Sequence, residues 1–281
     1  METRPLQRRI IMEYMKKGGG ILLKTSDLDL DETLDCGQAF RWERLGVGSD
    51  CTYHGFMLNT PLTVSAEKDF FRFHDTNEET FQRVWIPYFD LETDYGEIKR
   101  VLSEDGTLAK ACAYAGGIRL LRQDSWEALC SFIISQNNNI PRRKGIIGRL
   151  CEMYSGFPDY TQMKGIVPDD LAPLRAGFRA KYITDCIEKL NSGEIVIEKL
   201  KELPVDEARK VLMTIKGVGP KVADCALLYG MYRIECVPMD VWMKRVMEQF
   251  YPNGFPEFVL PYAGIAQQYL FHYMRTGGQD T

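Results

Sequence analysis

KGVGPKVADCALLYG, residues 216–230, sets two glycines, a proline and a lysine ahead of an apolar stretch with helical spacing. It follows VDEARKVLMTI (205–215), whose pattern is also helical, so 205–232 reads as helix, short glycine turn, helix. Gly217 and Gly219 free the backbone for positive φ and expose successive N–H groups without Cβ atoms in the way. Amides of that kind beside a helix N-terminus form a seat for an anion such as a nucleic-acid phosphate. Pro220 suits the first helical position, where its missing N–H is no loss. From this segment alone, a plain helical hairpin with a glycine stop explains the residues equally well.

Lys221 is what the plain hairpin does not explain. It falls in the first turn of the second helix, where the helix dipole disfavours an ammonium. For a solvated surface lysine that placement is slightly unfavourable. For a nucleophile it is useful, because only the neutral amine attacks carbon. Downstream, VPMDVWMKRV (237–246) places Pro238 and Asp240 just before another helix, so Asp240 is a natural N-cap with a carboxylate that the helix N-terminus favours. An N-cap aspartate is by itself only a cap. With a candidate nucleophilic lysine on the preceding helix, a pocket shared by the two is the expectation. There the carboxylate would stabilise an oxocarbenium-like sugar and help to position the amine.

Around this motif the chain has two textures. Its first third alternates short apolar runs with turn signals, as in ILLKTSDLDLDETL, CTYHGFML and LTVSAEKDFFRFH, which predicts antiparallel strands. From about residue 89 the pattern is helical, with Ser125 as a candidate N-cap and Gly193 and Gly217 as candidate stops. The fold class is therefore α+β, an antiparallel β-rich domain at 1–88 followed by a larger all-helical domain at 89–281. With 281 residues, 45% hydrophobic and 26% charged, the chain has an ordinary globular composition. No apolar run approaches the roughly 18 residues that span a bilayer, so no membrane partner is expected. The N-terminal stretch lacks the apolar core of a signal peptide, which predicts an intracellular protein.

The net charge of −4 does not by itself suggest nucleic-acid binding, but the basic residues are clustered. IPRRKGIIGRL (140–150), LRAGFRAKY (174–182) and KGVGPK (216–221) are local positive patches, while TNEET (76–80) and DLETDYGE (90–97) are acidic. Eight cysteines are scattered without any CxxC pair, so neither a zinc ribbon nor a clustered iron–sulfur site is supported.

Hairpin, lysine and aspartate together closely resemble the helix-hairpin-helix superfamily of DNA base-excision glycosylases. CGQAFRW (36–42), SQNNNIPR (135–142), LRAGFRAKY (174–182) and AQQYLF (266–271) resemble its 8-oxoguanine DNA glycosylase/AP lyase branch, in order and spacing, over about residues 22–275. The resemblance implies that Lys221 is the Schiff-base nucleophile and Asp240 the catalytic carboxylate. It implies that the carbonyl of Gly37 accepts the N7–H that 8-oxoguanine has and guanine lacks. Gln267 would bond the Watson–Crick edge of the flipped base, Cys225 and Phe271 would sandwich it, and Pro238 joins this base-binding set. Asn137, Arg142 and Arg179 would face the orphaned cytosine and Phe178 would fill the gap. Asn138, Gly217, Gly219, Val222 and Trp242 complete the DNA-binding set. The carbonyls of Met213, Ile215 and Val218 fall where the superfamily often holds a monovalent cation, K+ or Na+. No other cofactor is implied.

Spacing agrees with these roles: Cys225 is four residues after Lys221 and Phe271 four after Gln267, so each pair shares a helix face. A pocket that stacks a base and reads its edge is what a flipped nucleotide needs. The expected partner is duplex DNA carrying 8-oxoguanine opposite cytosine, acted on by a monomer. Departures stand at Trp242, where relatives often carry a histidine that touches phosphate, at Phe178 in place of a tyrosine, and at Tyr229 in place of a smaller or flexible residue. Two other readings remain open on the sequence, a glycosylase for another damaged base and a non-catalytic DNA-binding module.

Overall fold

A computed structural model describes residues 12–46 and 51–277, so the N-terminal stretch on which the absence of a signal peptide was judged lies partly outside the described residues. Six strands form one antiparallel sheet: β1 (Glu13–Lys17), β2 (Gly20–Lys24), β3 (Trp42–Leu45), β4 (Thr52–Met57), β5 (Thr60–Ala66) and β6 (Phe71–His74). Their spatial order is β1-β2-β6-β5-β4-β3. The pairings Tyr53↔Val64, Val64↔Phe73 and Ile21↔Phe73 line one buried row across four strands. Alternation puts that row on one face, which an antiparallel sheet with a single covered face requires. A Cβ on Gly55 would meet the Trp42 indole at 2.3 Å, so glycine there makes room for the ring.

Helices cover this row. They are α1 (Leu30–Leu34), a π-helical turn at Phe81–Trp85 and α3 (Ile86–Tyr88); α2 (Glu78–Thr80) buries no residue and only leads into that turn. Phe73 meets Phe81 and Phe89 edge to face, and Trp42 meets Trp85 and Phe89 in the same way. Two expectations change here. The helical texture begins at Glu78 rather than near 89, and α1 lies inside a stretch whose pattern suggested strand. Asp29 caps α1 by accepting from the Glu32 amide, and Leu30, Thr33 and Leu34 are buried at helical spacing. The apolar run was too short for its period to be read.

The remaining helices are α4 (Tyr95–Leu102), α5 (Gly106–Tyr114), α6 (Ser125–Ser135), α7 (Ile140–Tyr154), α8 (Arg179–Ser192), α9 (Ile197–Glu202), α10 (Val205–Leu212), α11 (Pro220–Cys225), α12 (Val241–Phe250) and α13 (Ala263–Arg275). By contacts the chain forms two compact units, one running to Arg122 and resuming at Met239, the other Gln123–Pro238. The expected division at 88/89 falls inside the first of these units, which follow packing rather than the change from strand to helix at 74–78. α12 and α13 belong with the sheet, and α13 packs on α5 and α12.

In the second unit α6 is buried over its whole length and is surrounded by α7, α8, α11 and a π-helical turn at Ala226–Gly230. A helix buried all round has no solvent face to present, so it becomes the axis of its unit. Its N-cap is Asp124, which accepts from the Glu127 amide, rather than Ser125. The Ser125 hydroxyl donates instead to the Gly230 carbonyl at 2.7 Å. Gly193 does cap α8, at φ +76. Among the described residues no helix is long and apolar enough to cross a membrane.

Candidate active site

In the hairpin, α10 ends at Leu212, two tight turns follow through Thr214 and Ile215, and α11 starts at Pro220 with Gly219 as its N-cap. Only Gly217 uses the left-handed region, at φ +77; Gly219 is extended, at φ −101 and ψ −179. The two glycines therefore do different work. A Cβ on Gly217 would strike the Tyr182 ring at 2.3 Å, whereas a Cβ on Gly219 would meet nothing within 4 Å. Among the described residues the N–H groups of Gly217, Gly219 and Lys221 make no hydrogen bond within the chain. Three such amides around a helix start are an anion seat. The Val222 amide is not part of it, because it donates to the Gly219 carbonyl at 3.1 Å and its side chain is buried. The Asp185 carboxylate holds the turn from behind by accepting from the Lys216 amide at 2.7 Å.

Lys221 is half-buried in the first turn of α11, with Nζ 5.4 Å from the centroid of the Phe132 ring. That ring, on α6, is stacked on Tyr229 at 5.1 Å and 17° between planes. Tyr229 comes from the π-helical turn that follows α11, so the residue that departs from the family pattern supports the ring beside the lysine. Such a cation–π contact favours one position of the charged ammonium by about 0.5–2 kcal/mol, according to how far it is desolvated. Cys225 is buried one turn along α11, and Pro238 is buried at the end of this unit.

The asparagine run ends α6 and starts α7. Asn139 caps α7 by accepting from the Arg142 amide, and Asn138 donates to the Ile134 carbonyl. Asn137 is exposed in the left-handed region at φ +45. The two arginines of this region differ. Arg142 is exposed, whereas Arg179 is buried, with its guanidinium donating to the carbonyls of Gln136, Asn137 and Ala176. In this structure Arg179 thus holds the asparagine loop instead of presenting a free fork. Desolvation by burial, reinforced by the nearby Arg142 charge, holds its pKa below the ordinary value. Phe178 is 48% exposed, with the Arg179 guanidinium 4.4 Å and the Tyr182 ring 5.6 Å from its centroid. An exposed aromatic ring braced from beneath is suited to stacking on bases.

The sheet-bearing unit carries the remaining residues. Asp240 caps α12, its Oδ1 accepting from the Met243 amide at 2.8 Å. Trp242, half-buried in the first turn of α12, lies under the Arg245 guanidinium at 5.1 Å, so a cation is present where the expected histidine is not. On α13, Gln267 is buried and Phe271 is half-buried one turn on. Gly37 sits at φ +88, with the Phe271 ring 3.9 Å and an Arg275 nitrogen 3.5 Å from the place a Cβ would take. The structure brings Gly37 and Phe271 together within this unit.

Met213, Ile215 and Val218 surround the hairpin turn; Ile215 and Val218 are buried, and the Ile215 carbonyl accepts from the Val218 amide at 3.0 Å. Among the described residues no cluster of His, Cys, Asp or Glu could hold a metal ion. Any cation at the hairpin would therefore rest on backbone carbonyls. Sequence reasoning missed Phe132, Tyr182 and Arg275. The first lay in an apolar run that reads as core, the second in a basic cluster read for its charge. Arg275 continues the Gln267, Phe271 spacing by one more turn, a signal that was present but stopped short.

Two family models match the chain: "8-oxoguanine DNA glycosylase, N-terminal domain" over residues 20–129 and "HhH-GPD superfamily base excision DNA repair protein" over residues 130–254. The chain is similar to a solved structure of MBOgg1 in complex with low affinity DNA ligand, at 40% identity and TM-score 0.87, covering 96% of this chain and 100% of that one. It is similar also to the Clostridium acetobutylicum 8-oxoguanine glycosylase/lyase in complex with double-stranded DNA containing cytosine opposite 8-oxoguanine. That likeness is 34% identity and TM-score 0.85 over 96% of this chain and 99% of that one. The N-glycosylase/DNA lyase of Saccharomyces cerevisiae is 29% identical over 286 residues, 84% of this chain and 71% of that protein.

Proposed function

Since the chain belongs to the 8-oxoguanine DNA glycosylase family of the HhH-GPD base-excision repair superfamily, we propose that it removes 8-oxoguanine from duplex DNA and then cleaves the strand. The observation that carries this is the hairpin: three unpartnered amides at the start of α11, and in its first turn an amine held over Phe132. A binding module needs the amides only. The held lysine is the part that requires chemistry.

In this reading the Lys221 nitrogen bonds to C1′ of the flipped nucleotide as the N-glycosidic bond breaks, its electron pair leaving with the base. The Asp240 carboxylate, fixed as an N-cap, stabilises the positive charge that develops on the sugar. The sugar ring then opens to the imine, a proton is lost from C2′, and the electrons expel the 3′ phosphate oxygen. Hydrolysis of the imine returns the amine.

Base choice rests on Gly37, whose carbonyl would accept the N7–H of 8-oxoguanine and face an acceptor in guanine. A bond gained against a buried acceptor left bare separates the two by about 1–3 kcal/mol. Stacking on Cys225 and Phe271 and the Gln267 amide serve either base alike. Opposite the lesion, Arg142 and Asn137 are the exposed groups that would read cytosine, and Arg179 holds their loop. A K+ or Na+ ion on the carbonyls of Met213, Ile215 and Val218 would stiffen the hairpin under a phosphate. We take the enzyme to act as an intracellular monomer on duplex DNA. The test is single-turnover excision on an 8-oxoguanine:cytosine duplex with borohydride present. A covalent adduct formed by the wild type is expected, and binding without an adduct would leave only the module.

A further inference from the structure

Arg275 is the last residue of α13, two turns beyond Gln267 and one beyond Phe271, so all three share one face of the helix. Its guanidinium makes three approaches in one place. One nitrogen donates to the Asp35 carbonyl at 3.1 Å, and the group lies 5.4 Å over the Phe271 ring. The other terminal nitrogen is 3.5 Å from the place a Cβ on Gly37 would occupy.

The segment around Gly37 is fixed on both sides. Buried Gln268 donates to the Cys36 carbonyl at 3.5 Å. Beyond Gly37, the buried amide of Gln38 donates to the carbonyls of Thr33 and Arg119 at 2.8 Å each and accepts from the Leu121 amide at 2.9 Å. Residues 35, 36 and 38 are each held, and Gly37 turns between them at φ +88. With its neighbours fixed, the direction of the Gly37 carbonyl is fixed too.

We infer that Arg275 is a positioning residue for lesion discrimination, setting the Gly37 carbonyl and the Phe271 ring at once, so that edge reading and stacking share one anchor. This rests on the function proposed above. An arginine is required because a planar fork donates in its plane while stacking through its face; an ammonium is a point charge that does one or the other. The alternative is that Arg275 only places a positive charge at the C-terminal end of α13, which a lysine would do as well.

The experiment is Arg275→Lys, read as excision of 8-oxoguanine relative to nicking at a preformed abasic site, which has no base to read. Thermal melting is followed alongside, with Arg275→Ala as the second variant. The expected result for Arg275→Lys is wild-type melting and a fall of about tenfold or more in excision relative to nicking, the scale of one charge-assisted hydrogen bond. Arg275→Ala should lower that ratio at least as far. If Arg275→Lys excises like wild type, the role is charge alone and the inference is wrong. If excision and nicking fall together, Arg275 supports the fold and the inference is wrong again. A wild type that leaves 8-oxoguanine in place would instead remove the parent reading before any variant is compared.

Discussion

Replacing Gly219 by alanine separates the fold of the hairpin from its work. At φ −101 and ψ −179 an alanine is unstrained, and its Cβ would meet nothing within 4 Å. Removing a glycine from the unfolded chain should then leave stability unchanged or raise it by up to about 1 kcal/mol. The neighbouring change behaves oppositely. Gly217→Ala forces φ +77 on a residue with a side chain, costing about 1–2 kcal/mol, and drives its Cβ to 2.3 Å from the Tyr182 ring. Relieving that overlap costs about 1–3 kcal/mol more, so a loss of roughly 2–5 kcal/mol is expected. In DNA binding the Gly219→Ala variant should be the defective one, because its methyl stands beside the unpartnered amides. Displacing one amide–phosphate bond is worth about 1.5–3 kcal/mol, or roughly a 10- to 150-fold rise in Kd. Urea denaturation and anisotropy titrations against lesion-bearing and undamaged duplexes measure both quantities. The Kd ratio to wild type should be the same for both duplexes, since amides hold backbone and read no base. Refutation comes either from Gly219→Ala losing as much stability as Gly217→Ala, or from a binding defect confined to damaged DNA.

Lys221→Gln should abolish base release, nicking and the borohydride adduct while leaving duplex binding within a few-fold of wild type; trapping that survives would reassign the nucleophile. Asp240→Asn keeps a good N-cap for α12, so melting should hardly move while excision drops, whereas Asp240→Ala should also lose about 1 kcal/mol of stability in urea titrations. An Asp240→Asn variant with wild-type excision rates would show that the carboxylate is only a cap. Arg142→Ala should narrow the preference for lesions opposite cytosine, measured as single-turnover rates against all four partner bases. A wild type indifferent to the partner base would mean that this arginine binds phosphate instead.

The hairpin, its lysine and the capping aspartate were legible in the sequence because their signals are local. A helix start needs a cap, a Pro at the first position and a particular turn before it, and these lie within a few residues of one another. The sheet was legible for the same reason, in the alternation of buried Tyr53, Leu62, Val64 and Phe73 with more polar, less buried neighbours. Where the pattern was short, as in Leu30–Leu34, period could not decide between strand and helix, and burial against the sheet did. Tertiary structure alone decided which glycine is bound by a neighbour and which is open, because Tyr182 reaches Gly217 from another helix. It decided that Arg179 is committed to the asparagine loop while Arg142 is free to the solvent, although both stand in basic clusters of similar composition. It also brought Arg275 to Asp35 and Gly37 across more than two hundred residues of chain. Residue type and spacing specify what a side chain can do, but only packing between distant segments specifies which partner it finds.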